Sequence, residues 1–202
     1  MRTLLLLSLL GWGTAFAQSD YPNKPVRMVV SFAAGGISDV LARPLAIPLS
    51  RQLGQQVIVE NKPGAGTTIA SDYIAKPGPD GYTIWLQDVT THAINVSLYS
   101  KLPYDPVKDF TYVAMVASTP LMLVVHPSTP ANDVKGLIAL LKANPNKYSY
   151  GSSGNGTIVH LASEMLKSAA GVDALHVPYK GSNPPAPPIL AGEVWFVFST
   201  IP

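Results

Sequence analysis

The chain has 202 residues, 47% of them hydrophobic and only 13% charged. That hydrophobicity with a formal charge of +2 excludes a disordered segment, and 16 glycines and 19 prolines exclude a long coiled coil. The basic residues are scattered, which leaves no footprint for nucleic acid, and the lack of cysteine removes disulfides, thiolate metal sites and cysteine nucleophiles together.

Arg2, the apolar run Leu4 to Trp12 and then Ala15-Phe16-Ala17 read as a cleavable signal peptide over residues 1–17. The run is shorter than the roughly 20 residues a membrane-spanning helix needs. The expectation is an exported chain starting at Gln18, with no membrane insertion after cleavage.

Val26 to Phe32 reads as a buried parallel strand, broken by Ala33-Ala34-Gly35-Gly36. Ile37 to Leu53 reads as a helix with Val40, Leu41, Leu45, Leu49 and Leu53 on one face. Pro44 and Pro48 should kink it or delay its start, and Gly54 should close it. Val57 to Val59 is a second strand, Thr67 to Ala75 a helix, and Tyr82 to Leu86 a third strand after the turn Pro77 to Gly81. The order βαβαβ implies a parallel sheet covered by helices.

A polar loop, Ser97 to Phe110, closes this unit. Val113 to Val116 and Leu121 to Val125 read as strands around Ser118-Thr119-Pro120, where the crossing between two lobes is placed. The second round comprises a helix over Val134 to Ala143, a strand over Tyr148 to Tyr150 and the turn Gly151 to Gly156. A helix over Thr157 to Ala170 and strands over Leu175 to Val177 and Val194 to Phe198 complete it.

Two loops stand out chemically. Gly35-Gly36-Ile37-Ser38-Asp39 joins a strand end to a helix start, where free N–H groups and the helix dipole favour an anion. The simpler reading is a tight turn with Ser38 or Asp39 as N-cap. Gly151 to Thr157 repeats the pattern, with Ser152, Ser153, Asn155 and Thr157 offering uncharged hydrogen bonds. It matches neither a Walker A loop, a dinucleotide fingerprint nor a nucleophile elbow. His92, His126, His160 and His176 have no local metal spacing and read best as structural residues. No paired carboxylates stand at strand ends. Strand-end loops without an acid, base or nucleophile set favour a binding protein over an enzyme.

Eight stretches in order resemble the Bug-type (tripartite tricarboxylate transporter) periplasmic solute-binding proteins. They are Tyr21 to Arg27, Phe32 to Asp39, Val59 to Gly66, Pro79 to Thr83, Thr91 to Asn95, Leu102 to Phe110, Ser152 to Thr157 and His176 to Ser182. The resemblance implies a periplasmic α/β protein of the type II, Venus-flytrap class, with two βαβ lobes at 18–117 and 118–202. A hinge near Val116 to Pro120 would let them close. It implies capture of a small organic acid for a membrane permease, or for a sensor kinase, with no catalysis and no cofactor. The ligand carboxylate would be held by the loop Ser31 to Asp39, hence Phe32, Ala33, Ala34, Gly35, Gly36, Ser38 and Asp39. Thr91, His92, Ser153, Asn155, Gly156 and Thr157 would complete the site, with Tyr179, Lys180 and Ser199 nearby.

Some positions depart from the family pattern. Proline-rich residues are usual where Ala33 and Ala34 stand, and an aspartate is common where Ser199 stands. Pro184, Pro185, Pro187 and Pro188 should interrupt a helix of the family. Family members also return to the first lobe through a C-terminal segment, so the resemblance implies a truncated chain lacking the C-terminal part of the fold. The rival from another class is an exported α/β hydrolase using Ser153 with His160 or His92. It lacks a carboxylate to orient the histidine.

Overall fold

The computed structural model describes residues 21–179 and 186–200. The expected signal peptide, Lys180 and the Pro184-Pro185 pair lie outside them. Among the described residues no helix is long and apolar enough to cross a membrane.

Three parallel strands form the first sheet. β1 (Val26–Val30) lies between β2 (Val57–Asn61) and β3 (Thr83–Leu86). β1 is central because it is apolar on both faces: Val26, Met28, Val29 and Val30 are all buried. α1 (Ile37–Leu53) covers one face through Ala42 and Ala46, with Leu45, Leu49 and Leu53 partly buried beside them. Val40, expected on that face, is 42% exposed; Ser38 and Asp39 are buried instead. The prolines do not delay the helix, which starts at Ile37 and continues through both. Pro44 and Pro48 are exposed, so the carbonyls that lose an N–H partner lie on the side open to water.

α2 (Thr68–Ala75) precedes β3, and a 3-10 turn over Ala65–Thr67 precedes α2. Beyond β3 the chain makes a π-helical turn, Thr90–Ile94, that runs into α3 (Asn95–Leu98). The sequence reading missed both. Asp88 Oδ1 accepts the Thr90 N–H at 2.8 Å where this turn begins.

The strand expected over Val113 to Val116 does not form. Those residues are irregular, and Val113 and Met115 are 91% and 86% exposed. β-branched residues carry a strand preference only where a neighbouring strand and a packed face exist, and none of the described residues supplies either.

The second sheet has the order β4 (Leu121–Val125), β7 (Phe196–Thr200), β5 (Ser149–Ser152), β6 (Leu175–Pro178). β4 is antiparallel to β7; β5 is parallel to β6 and β7. α4 (Val134–Ala143) and α5 (Ile158–Ala170) pack on it. Asp133 caps α4 by accepting the Gly136 N–H. Leu137, Leu141, Tyr148, Tyr150 and Phe196 form a core separate from that of the first sheet. The prolines do not abolish the helix before β7. α6 (Ala186–Leu190) holds Pro187 and Pro188 in its first turn, where the missing N–H groups have no helical partner to lose.

Leu141→Ala removes a fully buried side chain beneath this sheet. It should lower stability by about 2–4 kcal/mol, measured as an earlier urea midpoint with an unchanged slope.

Candidate functional site

In each sheet, parallel strands bring their carboxyl ends to one edge. On the first, β1, β2 and β3 deliver Ser31 to Asp39, Lys62 to Thr67 and Gln87 to Asn95 to that edge. On the second, β5, β6 and β7 deliver Ser153 to Thr157, Tyr179 and Ser199-Thr200. The two edges meet. A Cβ built on Gly156 would collide with Leu98 Cδ2, and one built on Gly66 would lie 2.8 Å from both Asn155 O and Tyr99 Oη. Gly156 and Gly66 also have φ of 78° and 57°, so steric room and backbone conformation both demand glycine.

The first loop is braced from inside. Asp39 is 4% exposed, yet its carboxylate is ionised and fully engaged. Oδ2 accepts the Gly35 N–H and Arg43 Nε–H, each at 2.9 Å, and Oδ1 takes Arg43 Nη2 at 2.9 Å and Asn61 Nδ2 at 3.0 Å. Asn61 Nδ2 also donates to Phe32 O. Burial opposes the charged form, but hydrogen bonds from Arg43, Gly35 and Asn61 outweigh it, holding the Asp39 carboxyl below its usual range. Gly36, not Ser38 or Asp39, occupies the N-cap of α1, and it offers no side-chain cap. Phe32 packs its ring into the core, leaving only its backbone for the loop. Ala34 and Gly35 are exposed. The first-turn N–H groups of α1 point out of this edge, since a helix leaves them without internal partners.

Thr91 is fully buried and shares a 2.8 Å hydroxyl contact with Thr67. Asn95, absent from the sequence-derived set, is the node behind it. Its Nδ2 donates to Gly66 O, Thr67 Oγ1 and Tyr104 Oη. His92 lies aside, among Trp85, Phe110 and Tyr112, donating from Nδ1 to Pro106 O at 3.1 Å. That is a structural histidine. Burial lowers its pKa, and the bond to Pro106 only partly offsets this.

On the second edge, Ser153 and Thr157 are buried and Asn155 is exposed. Thr157 Oγ1 donates back to Gly154 O at 2.8 Å, closing the turn ahead of α5. Tyr179 N–H donates to Ser152 O, and its hydroxyl donates to Glu193. Ser199 Oγ donates to Thr200 O at 2.9 Å. The hydrolase pairing does not assemble. Ser152, not Ser153, meets a histidine, His176, at 2.6 Å, while His160 and His92 have other partners.

Among the described residues four buried side-chain oxygens lack a hydrogen-bond partner: Gln87 Oε1, Thr90 Oγ1, Asn95 Oδ1 and Thr200 Oγ1. All four lie at the carboxyl edges of the sheets, closed off from solvent.

The sequence profile described as "Tripartite tricarboxylate transporter family receptor" matches residues 41–202. A UPF0065 protein of Bordetella pertussis is 36% identical over 201 residues, which is 100% of this chain and 62% of that protein. A solved R. palustris protein with adipate superposes with a TM-score of 0.86 at 38% identity, over 90% of this chain and 60% of that one. The periplasmic binding protein BugD superposes with a TM-score of 0.82 at 37% identity, over 89% and 60%. The α/β fold is that of periplasmic binding proteins, and the chain spans about 60% of the length of the relatives it matches.

Asp39→Asn removes the charge that three donors converge on. It should cost about 1–3 kcal/mol, read by chemical denaturation. The folded carboxyl titrates below its unfolded value of 3.8, so its contribution is present above that pH and is lost as pH falls below it. The variant should therefore flatten the acid limb of the stability profile.

Proposed function

Because the chain belongs to the tripartite tricarboxylate transporter receptor family, we propose that it is a periplasmic solute-binding protein. It captures a small carboxylate-bearing organic anion for a permease of the tripartite tricarboxylate type, and does no chemistry on it. The observation that carries this reading is the meeting of two neutral, glycine-rich strand-end loops, each opening a helix, across one cleft. Neither Ser31 to Ser38 nor Ser152 to Thr157 contains a lysine or arginine. Beside the first loop, Arg43 is committed to Asp39 and Asn61, and Lys62 to Glu60 and the Tyr73 ring. An anion would be held by backbone N–H groups and helix dipoles, in part through water. The adipate in the R. palustris relative supports a carboxylate as the guest.

In this reading the backbone from Phe32 to Gly36, with Ser38, grips the carboxylate. Asp39 acts as the brace of that loop. Thr91, Ser153, Asn155, Gly156 and Thr157 complete the site, with Tyr179 and Ser199 at its rim. The lobes are residues 18–117 and 118–202, and the irregular segment Val116 to Pro120 is the hinge on which they close. Export and residence in the periplasm follow from the leader over residues 1–17.

A thermal scan against succinate, adipate, citrate and benzoate tests the reading. At 100 times the dissociation constant the true ligand class adds about 2.7 kcal/mol, a rise of roughly 5–10 °C for a chain of this size. Asn155→Ala, an exposed change, should weaken binding about fivefold to tenfold and leave the ligand-free transition in place. Cooperative unfolding that none of the four acids shifts would count against carboxylate capture.

A further inference from the structure

Behind the Ser152–Thr157 turn lies a cluster that the binding role just described does not use. His160, in the first turn of α5, and His176, on β6, stack with ring centroids 4.2 Å apart. Tyr150 of β5 stacks on His176 at 4.8 Å and lies 6.4 Å from His160. Its hydroxyl donates to Glu164, one turn further along α5, and Glu164 pairs with Lys167 at 2.8 Å. From the packed elements, the titratable groups facing the pair are therefore Tyr150 on β5 and Glu164 and Lys167 on α5. β7 adds only Phe196, stacked on Tyr150. Tyr179, just past β6, is turned to Glu193. Across the cleft, Leu98 meets the turn at Gly156 and Gly66 meets it at Asn155, neither with a charge.

The direction of one bond decides what this cluster does. The Gly156 N–H donates to His160 Nδ1 at 3.1 Å. A ring nitrogen that accepts carries no proton, so His160 is neutral with its hydrogen on Nε2. Protonation places a hydrogen on Nδ1 and sets two N–H groups against each other. The His176 contact is different. Ser152 Oγ accepts the Gly154 N–H at 3.1 Å and lies 3.2 Å from Gly154 O. Its hydroxyl can rotate to accept from a protonated ring, so the 2.6 Å contact with His176 Nε2 survives protonation. Within this cluster the acid-sensitive bond is the one that holds Gly156, the residue packed against Leu98 of the opposite edge.

We propose that His160 is a positioning residue for the anion-binding turn: its uncharged Nδ1 fixes Gly156, the residue packed against the opposite edge, so that ligand capture weakens as the ring takes up a proton at falling pH. This inference rests on the anion-capture reading above. Burial lowers the pKa of both imidazoles. For His176, the charge of His160 adds to burial and brings it to about 4. For His160, Glu164 opposes the shift and Lys167 assists it. Both folded values lie below the ordinary 6.5, so both rings are neutral at neutral pH and take up charge only at lower pH.

The test uses the purified, 15N-labelled protein, titrated from about pH 7.5 to about 4.5, with and without adipate. His160→Asn places an amide oxygen near the position of Nδ1 and does not titrate; His160→Leu removes the acceptor. In the wild type the Gly156 amide resonance should move with the midpoint of the His160 ring, and adipate affinity should fall below that midpoint by up to about tenfold per pH unit. In His160→Asn the Gly156 amide should stay flat, affinity at pH 7.5 should match the wild type, and only the titration of adipate itself should remain. His160→Leu should bind about fivefold to tenfold more weakly at pH 7.5, with unchanged far-ultraviolet circular dichroism. A Gly156 amide indifferent to His160, or the wild-type pH profile in His160→Asn, overturns the proposal. If Gly156 follows His160 but adipate moves no resonance, the positioning role stands and the carboxylate reading falls for adipate.

Discussion

One buried charge sets the shape of the first loop. The Asp39 carboxylate is 4% exposed, and its donors come from three places: Gly35 in the loop, Arg43 in α1 and Asn61 at the end of β2. Removing a carboxylate from water costs several kcal/mol unless it is paired and hydrogen-bonded. Here the guanidinium grips both oxygens, a geometry that repays that cost better than a point charge would. The same asparagine that donates to Asp39 holds Phe32 O, so the end of β1, the start of α1 and the end of β2 are fixed by one network. Ala33 and Ala34 bring no stiffness of their own, so the position of the α1 N-terminus depends on this brace.

That brace also explains why the cleft is neutral. Among the described residues the basic groups beside the loop are engaged: Arg43 on Asp39, and Lys62 on Glu60 and over the Tyr73 ring. What remains for a guest is directional: donors from the first turns of α1 and α5. An anion seated there would be oriented by hydrogen-bond polarity, without a buried salt bridge whose desolvation would have to be repaid.

The sequence made the helices and the two loops legible because their signals are local. α4 spans the residues that its apolar spacing and the Asp133 cap imply, and α1 starts and ends where Gly36 and Gly54 stand. The failures are of another kind. Val113 to Val116 has strand composition, but a strand exists only through a partner, and partners are not written in the segment itself. The π-helical turn at Thr90–Ile94 was hidden because a four-residue helix after it gives no periodicity to read. At the site, glycine turns after strands marked both loops, yet Asn95 and His160 went unassigned. Each acts through backbone groups of a segment far away in sequence or in the neighbouring turn: Asn95 on Gly66, and His160 on Gly156. Such roles depend on side-chain direction, which composition and spacing do not carry.

Gly156 joins these levels. Its positive φ requires glycine, its approach to Leu98 requires the absence of a side chain, and its N–H requires an acceptor once α5 is under way. A serine or aspartate at the helix start could have supplied that acceptor locally. Instead Thr157 turns its hydroxyl back to Gly154, and the acceptor comes from the third helical residue, His160. A neutral hydroxyl would have done this at any pH and an aspartate would have placed a negative charge beside the bound anion. An imidazole does it without charge at neutral pH, and only while it remains unprotonated. The turn that faces the opposite edge is thus tied to the protonation of one ring, and the burial of that ring, opposed by Glu164, sets how acidic the surroundings must become before the tie is lost.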